Sequence, residues 1–187
     1  MSAYDVVLFL HILALVFGAS VAAVAHSTMF RLRSAPDLAA VRGHLAVLDK
    51  TGPLFPISAV LLFGFGAVLI RLSEDPDKWH WSDGWIVTAI VTLVVVEAVG
   101  GIVIGRGIKR VGKQLASVPD GPVDRSTRAA LADPEIWLAS HLTTALIMSV
   151  VLLMTTKPSG VTSAIVVVVG GILGLLSAVP YAKPPAE

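Results

Sequence analysis

The sequence predicts an all-α polytopic membrane protein, a bundle of five transmembrane helices with its N-terminus outside and its C-terminus in the cytoplasm. Three observations predict it. The 187 residues are 55% hydrophobic and 14% charged, with mean hydropathy +0.82, whereas an ordinary soluble domain is about 45–50% apolar and about 25% charged. Five stretches reach or approach the roughly 20 apolar residues that a bilayer-spanning helix needs. The two-residue alternation of a membrane β-barrel is missing, and helices satisfy their backbone hydrogen bonds internally, as hydrocarbon demands. A chain with so little polar surface cannot cover a globule in water. That excludes a soluble enzyme, a disordered chain and a nucleic-acid binder; a net charge of +1 also makes no field for a polyanion. The length fits one domain. With no cysteine, disulfides, thiolate metal sites and cysteine nucleophiles are absent.

The first span runs from Val6 to Phe30. Ala23-Val24-Ala25 resembles a signal-peptidase site, but the chain start carries no Lys or Arg, contains Asp5, and has too long an apolar run, so an uncleaved helix is expected. Next, the stretch from Asp37 to Lys50 spaces Leu38, Val41, Leu45 and Leu48 as a helix does. It reads first as a plain connector, and otherwise as an amphipathic helix on the membrane or extending the second span. That span, Leu54 to Leu72, comes after a break or kink at Gly52-Pro53, with Pro56 adding a second bend. The third, Trp85 to Gly105, continues as a polar helix through Lys113. A turn at Pro119-Asp120-Gly121-Pro122 and a short helix from Asp124 to Ala132 come next. The fourth span, Ile136 to Thr156, is opened by Asp133-Pro134-Glu135, which supplies an N-cap, a first-turn proline and an acid at the positive helix end. Lys157-Pro158-Ser159-Gly160 is a short turn, so the fifth span, Val161 to Val179, should run antiparallel beside the fourth.

The cations set the orientation. Arg31, Arg33, Arg42, Lys50, Arg106, Lys109, Arg110, Lys113, Arg125, Arg128 and Lys183 fall on one side, and Arg71, Lys78 and Lys157 on the other. The positive-inside rule puts the larger set in the cytoplasm, which implies a multi-pass protein of the inner (plasma) membrane. The loop before the third span is acidic, with Glu74, Asp75, Asp77 and Asp83. Trp79, Trp81, Trp85 and Tyr4 fall at outer edges, and Trp137 and Tyr181 at inner edges, as an anchoring aromatic belt would. His80, between two tryptophans, reads as part of that belt.

Ionisable groups inside a bilayer are costly and mark candidate sites. Here they are His11 and His26 on the first span, Glu97 on the third and His141 on the fourth. His26 lies about 6 Å, and His141 about 8–10 Å, from the cytoplasmic ends of their spans, so the two match in depth. His11 is about 8 Å below the outer face and Glu97 nearer the middle. Imidazole is a common axial ligand, and helical bundles build such sites from facing helices. One reading is therefore a haem b site with His26 and His141 as ligands, or His11 or His44 in their place, and with Arg31, Arg42 and Arg128 neutralising the propionates. The other is that these histidines hydrogen-bond across helices and hold the bundle together. Hydrocarbon disfavours a carboxylate charge, so Glu97 reads either as a proton-carrying acid or as a neutral one bonded to His11, Ser58 or Thr144. Glu97, Gly101 and Gly105 form one stripe at four-residue spacing, and Gly170 and Gly174 form another with Ala178. Either stripe seats a neighbouring helix or a second copy or membrane partner. No P-loop, dinucleotide fingerprint, HExxH or GxSxG is present. Three roles stay open: a haem-binding redox protein, a non-catalytic subunit or scaffold, and a proton-coupled small-solute transporter using Glu97. Whether the protein is an enzyme is not decided.

Leu10-His11-Ile12-Leu13, followed by Gly18-Ala19-Ser20, resembles the first helix of a bacterial group of small helical membrane proteins. The group includes copper-resistance-D-like proteins, HemJ-type protoporphyrinogen oxidases and an uncharacterised family of predicted integral membrane proteins. Lys50-Thr51-Gly52-Pro53, leading into the second span, is similar to that last family, and the resemblance covers about the first seventy residues. The later Trp-Gly of such helices is Phe17-Gly18 here. The resemblance to HemJ-type proteins implies a haem-binding role for His11.

Overall fold

A computed structural model describes residues 1–74 and 78–182. Asp75, Asp77, Lys183 and the C-terminal residues after it lie outside the described residues. Among the described residues eight α-helices run in order: α1 Ala3–Arg33, α2 Leu38–Thr51, α3 Leu54–Leu72, α4 Gly84–Val99, α5 Gly105–Leu115, α6 Arg125–Leu131, α7 Pro134–Thr156 and α8 Gly160–Ala178. A π-helical segment, Gly100–Ile104, joins α4 to α5. Among the described residues there is no strand, only an isolated bridge between Asp37 and Pro122. Five continuous stretches are long and apolar enough to cross a membrane: Ala3–Arg33, Leu38–Leu72, Gly84–Leu115, Arg125–Thr156 and Gly160–Ala178. The expected five-helix membrane bundle is the observed architecture.

Local chemistry places the helix ends. Ser2 and Asp5 form a reciprocal capping box at the start of α1. Asp133 caps α7 by accepting from the Glu135 N–H at 2.9 Å, with Pro134 in the first turn, as expected from the sequence. At the other end of α7 the backbone turns through Lys157, a non-glycine residue at φ 47°. Its ammonium sits 4.1 Å from the centre of the Trp79 ring, a cation–π contact that offsets part of the left-handed cost. The turn sets α8 antiparallel beside α7. Asp124 caps α6, and hydrogen bonds from Thr127 and Ser126 hold its carboxyl below the usual carboxylate range.

Two kinds of packing build the bundle. Along α1 and α3 the contacts are made by small and polar side chains: a Cβ on Gly18 would stand 3.0 Å from the Ser58 hydroxyl. Lipid tails are as apolar as leucine, so close van der Waals fit rather than apolar burial holds such helices together. At the basic end the packing changes. Met29, Leu32, Leu38, Val41, Leu45, Leu48, Val111, Leu115, Leu131, Ile136 and Trp137 form one core from α1, α2, α5, α6 and α7. Among the described residues this is the largest cluster of buried apolar side chains, and it resembles the interior of a soluble domain.

That core revises two expectations. The stretch after Asp37 is more than a connector. It is a 14-residue helix that buries Leu38, Val41, Leu45 and Leu48 in the core, and Gly52 and Pro53 carry it into α3 in right-handed helical conformation. Arg42 fixes it by donating to the Leu115 carbonyl at 2.9 Å and to the Val118 carbonyl, and by pairing with Asp120. Trp137, expected in a lipid-facing belt, is 2% exposed and donates its indole N–H to the Leu131 carbonyl at 3.0 Å. Its ring partners Phe30 and Tyr181 come from α1 and from beyond α8, so neither hydropathy nor end position reported them.

Candidate functional site

The basic-end core rises into the bilayer at the join between α1 and the α7–α8 pair. There Phe30 of α1, Trp137 of α7 and Tyr181 beyond α8 pack ring to ring at 5.1–5.5 Å. Arg33 lies 5.5 Å from the Trp137 ring centre and donates to the Tyr181 backbone carbonyl. This clasp ties the chain after α8 back to the end of α1. Immediately above it lie His26 and His141.

The structure brings these two histidines into contact. Their ring centres are 5.1 Å apart with planes at 57°. The Nδ1 atom of His26 faces the hydroxyls of Ser140 at 3.3 Å and Thr144 at 3.4 Å, on either side of His141 on α7. The Nδ1 atom of His141 is 2.8 Å from the Ser177 hydroxyl on α8. The Nε2 atom of His141 is buried with no hydrogen-bond partner. The ring of His141 is also stacked on Tyr181, centres 5.2 Å apart and planes at 29°. Each imidazole is thus oriented through Nδ1 by a hydroxyl, which is how outer-shell groups hold a ligating histidine with Nε2 free. Ser140 and Ser177 are site residues that sequence reasoning missed, and Thr144 and Tyr181 were expected in other roles, as a partner of Glu97 and in the aromatic belt. The signal that points to Ser140 and Thr144 is their spacing, one residue before and three after His141.

His11 stands apart. It is fifteen residues, about 22 Å, along α1 from His26. It packs between α1 and α3, where a Cβ on Gly66 would stand 3.3 Å from its ring, and it reaches the Leu62 backbone. Its Nδ1 atom is buried and unpartnered. His44 lies on α2 and makes no ring contact or hydrogen bond among the described residues. Arg42, one of the residues expected to neutralise propionates, is engaged by Asp120 and two carbonyls.

Glu97 shares the level of the pair without joining it. Ala89 of α4 packs against Val150 and Leu153 of α7, and the two helices run in opposite directions. Glu97 is about 12 Å deeper than Ala89, and His141 about 13–18 Å deeper than Val150 and Leu153. Glu97 has no hydrogen-bond partner among the described residues. Of its expected partners, Ser58 donates to Phe55 at 2.8 Å and Thr144 to Ser140 at 2.9 Å. The expected stripe through Gly101 and Gly105 does not face the bundle. The π-segment adds a residue to the turn after Glu97 and rotates the helix beyond it. Gly101 is exposed with no atom within 4 Å of a Cβ placed on it, and Gly105 meets only the Gly100 carbonyl. Gly170 and Gly174 face α7. A Cβ on Gly174 would stand 2.7 Å from Ala145 Cβ and 2.9 Å from the His141 carbonyl.

The pair does not fit a haem iron held between its rings. With metal–nitrogen bonds of about 2 Å, two imidazoles on opposite sides of an iron have ring centres about 6.4 Å apart. The observed 5.1 Å leaves no layer for a macrocycle, and Tyr181 covers His141. Two imidazoles at a tetrahedral angle on one ion have centres about 5.2 Å apart, close to the observed separation. Among the described residues no group of three or more His, Cys, Asp or Glu side chains gathers around a common point. No family model matches the chain, and no curated protein or solved structure is similar to it.

Proposed function

We propose that this multi-pass protein binds a single transition-metal ion through Nε2 of His26 and Nε2 of His141, and that it handles that ion at the basic face of the plasma membrane. The observation that supports the reading is the pair itself: two imidazoles from separate helices, each held through Nδ1 by a hydroxyl, at a ring separation that one ion allows. Imidazole suits copper, zinc and nickel. Two protein ligands leave coordination positions open, as in sites that exchange or react, whereas structural sites are closed by four. The reading predicts stoichiometric binding of Cu(I) or Zn²⁺ by chelator-stripped, detergent-purified protein. His26→Ala and His141→Ala should each weaken binding by more than roughly 100-fold, beyond the 10–100-fold cost of losing an outer partner. Ser177→Ala should cost about tenfold with stoichiometry unchanged. Binding that is identical in both histidine variants overturns the site. A Soret band in protein expressed with ample haem replaces the single ion with haem b.

The orientation follows the cations, with the basic end in the cytoplasm. Because the chain lacks cysteine, single cysteines report it without background. Ser82 and Ser117 are both exposed at opposite ends of the bundle. In intact cells an impermeant thiol reagent should label Ser82→Cys and spare Ser117→Cys; the reverse pattern inverts the topology.

A further inference from the structure

We propose that the outward face of α5 is a binding surface for the headgroups of anionic phospholipids. Gly84–Leu115 is one unbroken helical rod, made of α4, the π-segment and α5. Counted from Gly84, Arg106 stands about 33 Å along it, just past the roughly 30 Å of hydrocarbon, and Lys113 about 10 Å further. The rod therefore carries its first cations at headgroup depth. Their rotation is set by packing. Gly107, Val111 and Leu115 are buried, and a Cβ on Gly107 would stand 2.6 Å from the Ile136 side chain. That contact presses one side of α5 against α7 and turns Arg106, Lys109, Arg110 and Lys113 outward, where all four are exposed.

Among the described residues only one carboxylate pairs with a cation of this face. Asp133 pairs with Arg110, Asp120 pairs with Arg42, and Asp37 and Asp124 cap α2 and α6. The helix α5 contains no acid, and among the described residues Arg106, Lys109 and Lys113 form no ion pair. Three unneutralised cations on one side of a fixed helix, the first of them at headgroup depth, match lipid phosphates, with which Lys and Arg form charge-assisted hydrogen bonds. Each cation near an anionic membrane surface adds about fivefold to such attraction.

The test uses the full chain in vesicles of equal parts phosphatidylglycerol and phosphatidylcholine, released in mild detergent, with retained lipids identified by native mass spectrometry. The protein should retain phosphatidylglycerol over phosphatidylcholine by more than about tenfold. The R106Q/K109Q/K113Q variant should fall to near parity while keeping its helix content and elution volume, since these side chains are exposed and glutamine is a comparable helix former. Parity in the unaltered protein, or undiminished preference in the variant, overturns the proposal. Loss of the retained lipid on adding millimolar inorganic phosphate reassigns the face to a free anion and also overturns it. If instead the variant misfolds, R106K, with its charge kept, and K109Q/K113Q tested alone decide the question: the first should retain the preference and the second lose most of it.

Discussion

Trp137→Ala is expected to destabilise the protein by about 3–5 kcal/mol, the cost of emptying a buried aromatic site. The effect exceeds that of a typical span residue for three reasons. The side chain is 2% exposed within the largest buried apolar core. Its indole N–H is the donor to the Leu131 carbonyl, which would be left buried without it. It also forms the floor on which Phe30 and Tyr181 pack, so its loss loosens the clasp joining α1 to the chain after α8. Trp137→Phe should recover more than half of the loss by restoring ring contacts without the N–H. Equilibrium denaturation in detergent, followed by circular dichroism, measures both. A shift below about 1 kcal/mol for the alanine variant would mean that the clasp does not hold the two halves together. The alanine variant should also lower metal affinity, because Tyr181, which packs on Trp137, is stacked on His141.

Gly174→Leu is expected to be comparably damaging, at about 3 kcal/mol or more, the upper end for overpacking a tight interface. The obstruction is backbone: the first added carbon would already meet the His141 carbonyl at 2.9 Å and Leu142 Cα at 3.1 Å, neither of which can rotate away. The helices α7 and α8 must separate. Ser177 lies three residues further along α8 and would be drawn off His141, so metal affinity should fall with stability. Gly101→Leu is the matched control. Its site on the π-segment is open, and the variant should stay within about 0.5 kcal/mol of the parent. Equal destabilisation by the two substitutions, read from the same denaturation curves, would show that small size matters generally in these spans and not at the α7–α8 contact.

The ends of the elements were legible because local chemistry decides them. Asp133-Pro134 opens α7 as expected, Lys157 to Gly160 turns the chain, and Leu54–Leu72 is the helix expected. The spacing of Leu38, Val41, Leu45 and Leu48 showed which side of α2 is apolar, and the structure buries those four residues. It did not show what covers them. The covering side chains come from α1 beside it and from α5, α6 and α7, more than sixty residues away. The same holds at the site. Depth counting matched His26 to His141, since rise per residue is a property of one helix. Their contact, and the hydroxyls that aim them, depend on how α1, α7 and α8 are rotated. Glu97 shows the converse. It lies at the depth of the pair, but its side chain makes none of the expected bonds, and the π-segment turns its glycine stripe away.

The sequence by itself determined that this is a five-span helical membrane protein, where the spans lie along the chain, and which end carries the positive charge. Transfer from water to hydrocarbon is a cost each residue meets alone, so it adds along the chain and can be read there. Only the tertiary structure decided that His26 and His141 touch, that Gly174 serves α7, and that Trp137 is core. Helices that are apolar on every side have no preferred face in lipid. Their rotation is chosen by close packing and a few hydrogen bonds between distant residues, and those pairings leave no trace in either partner's local sequence.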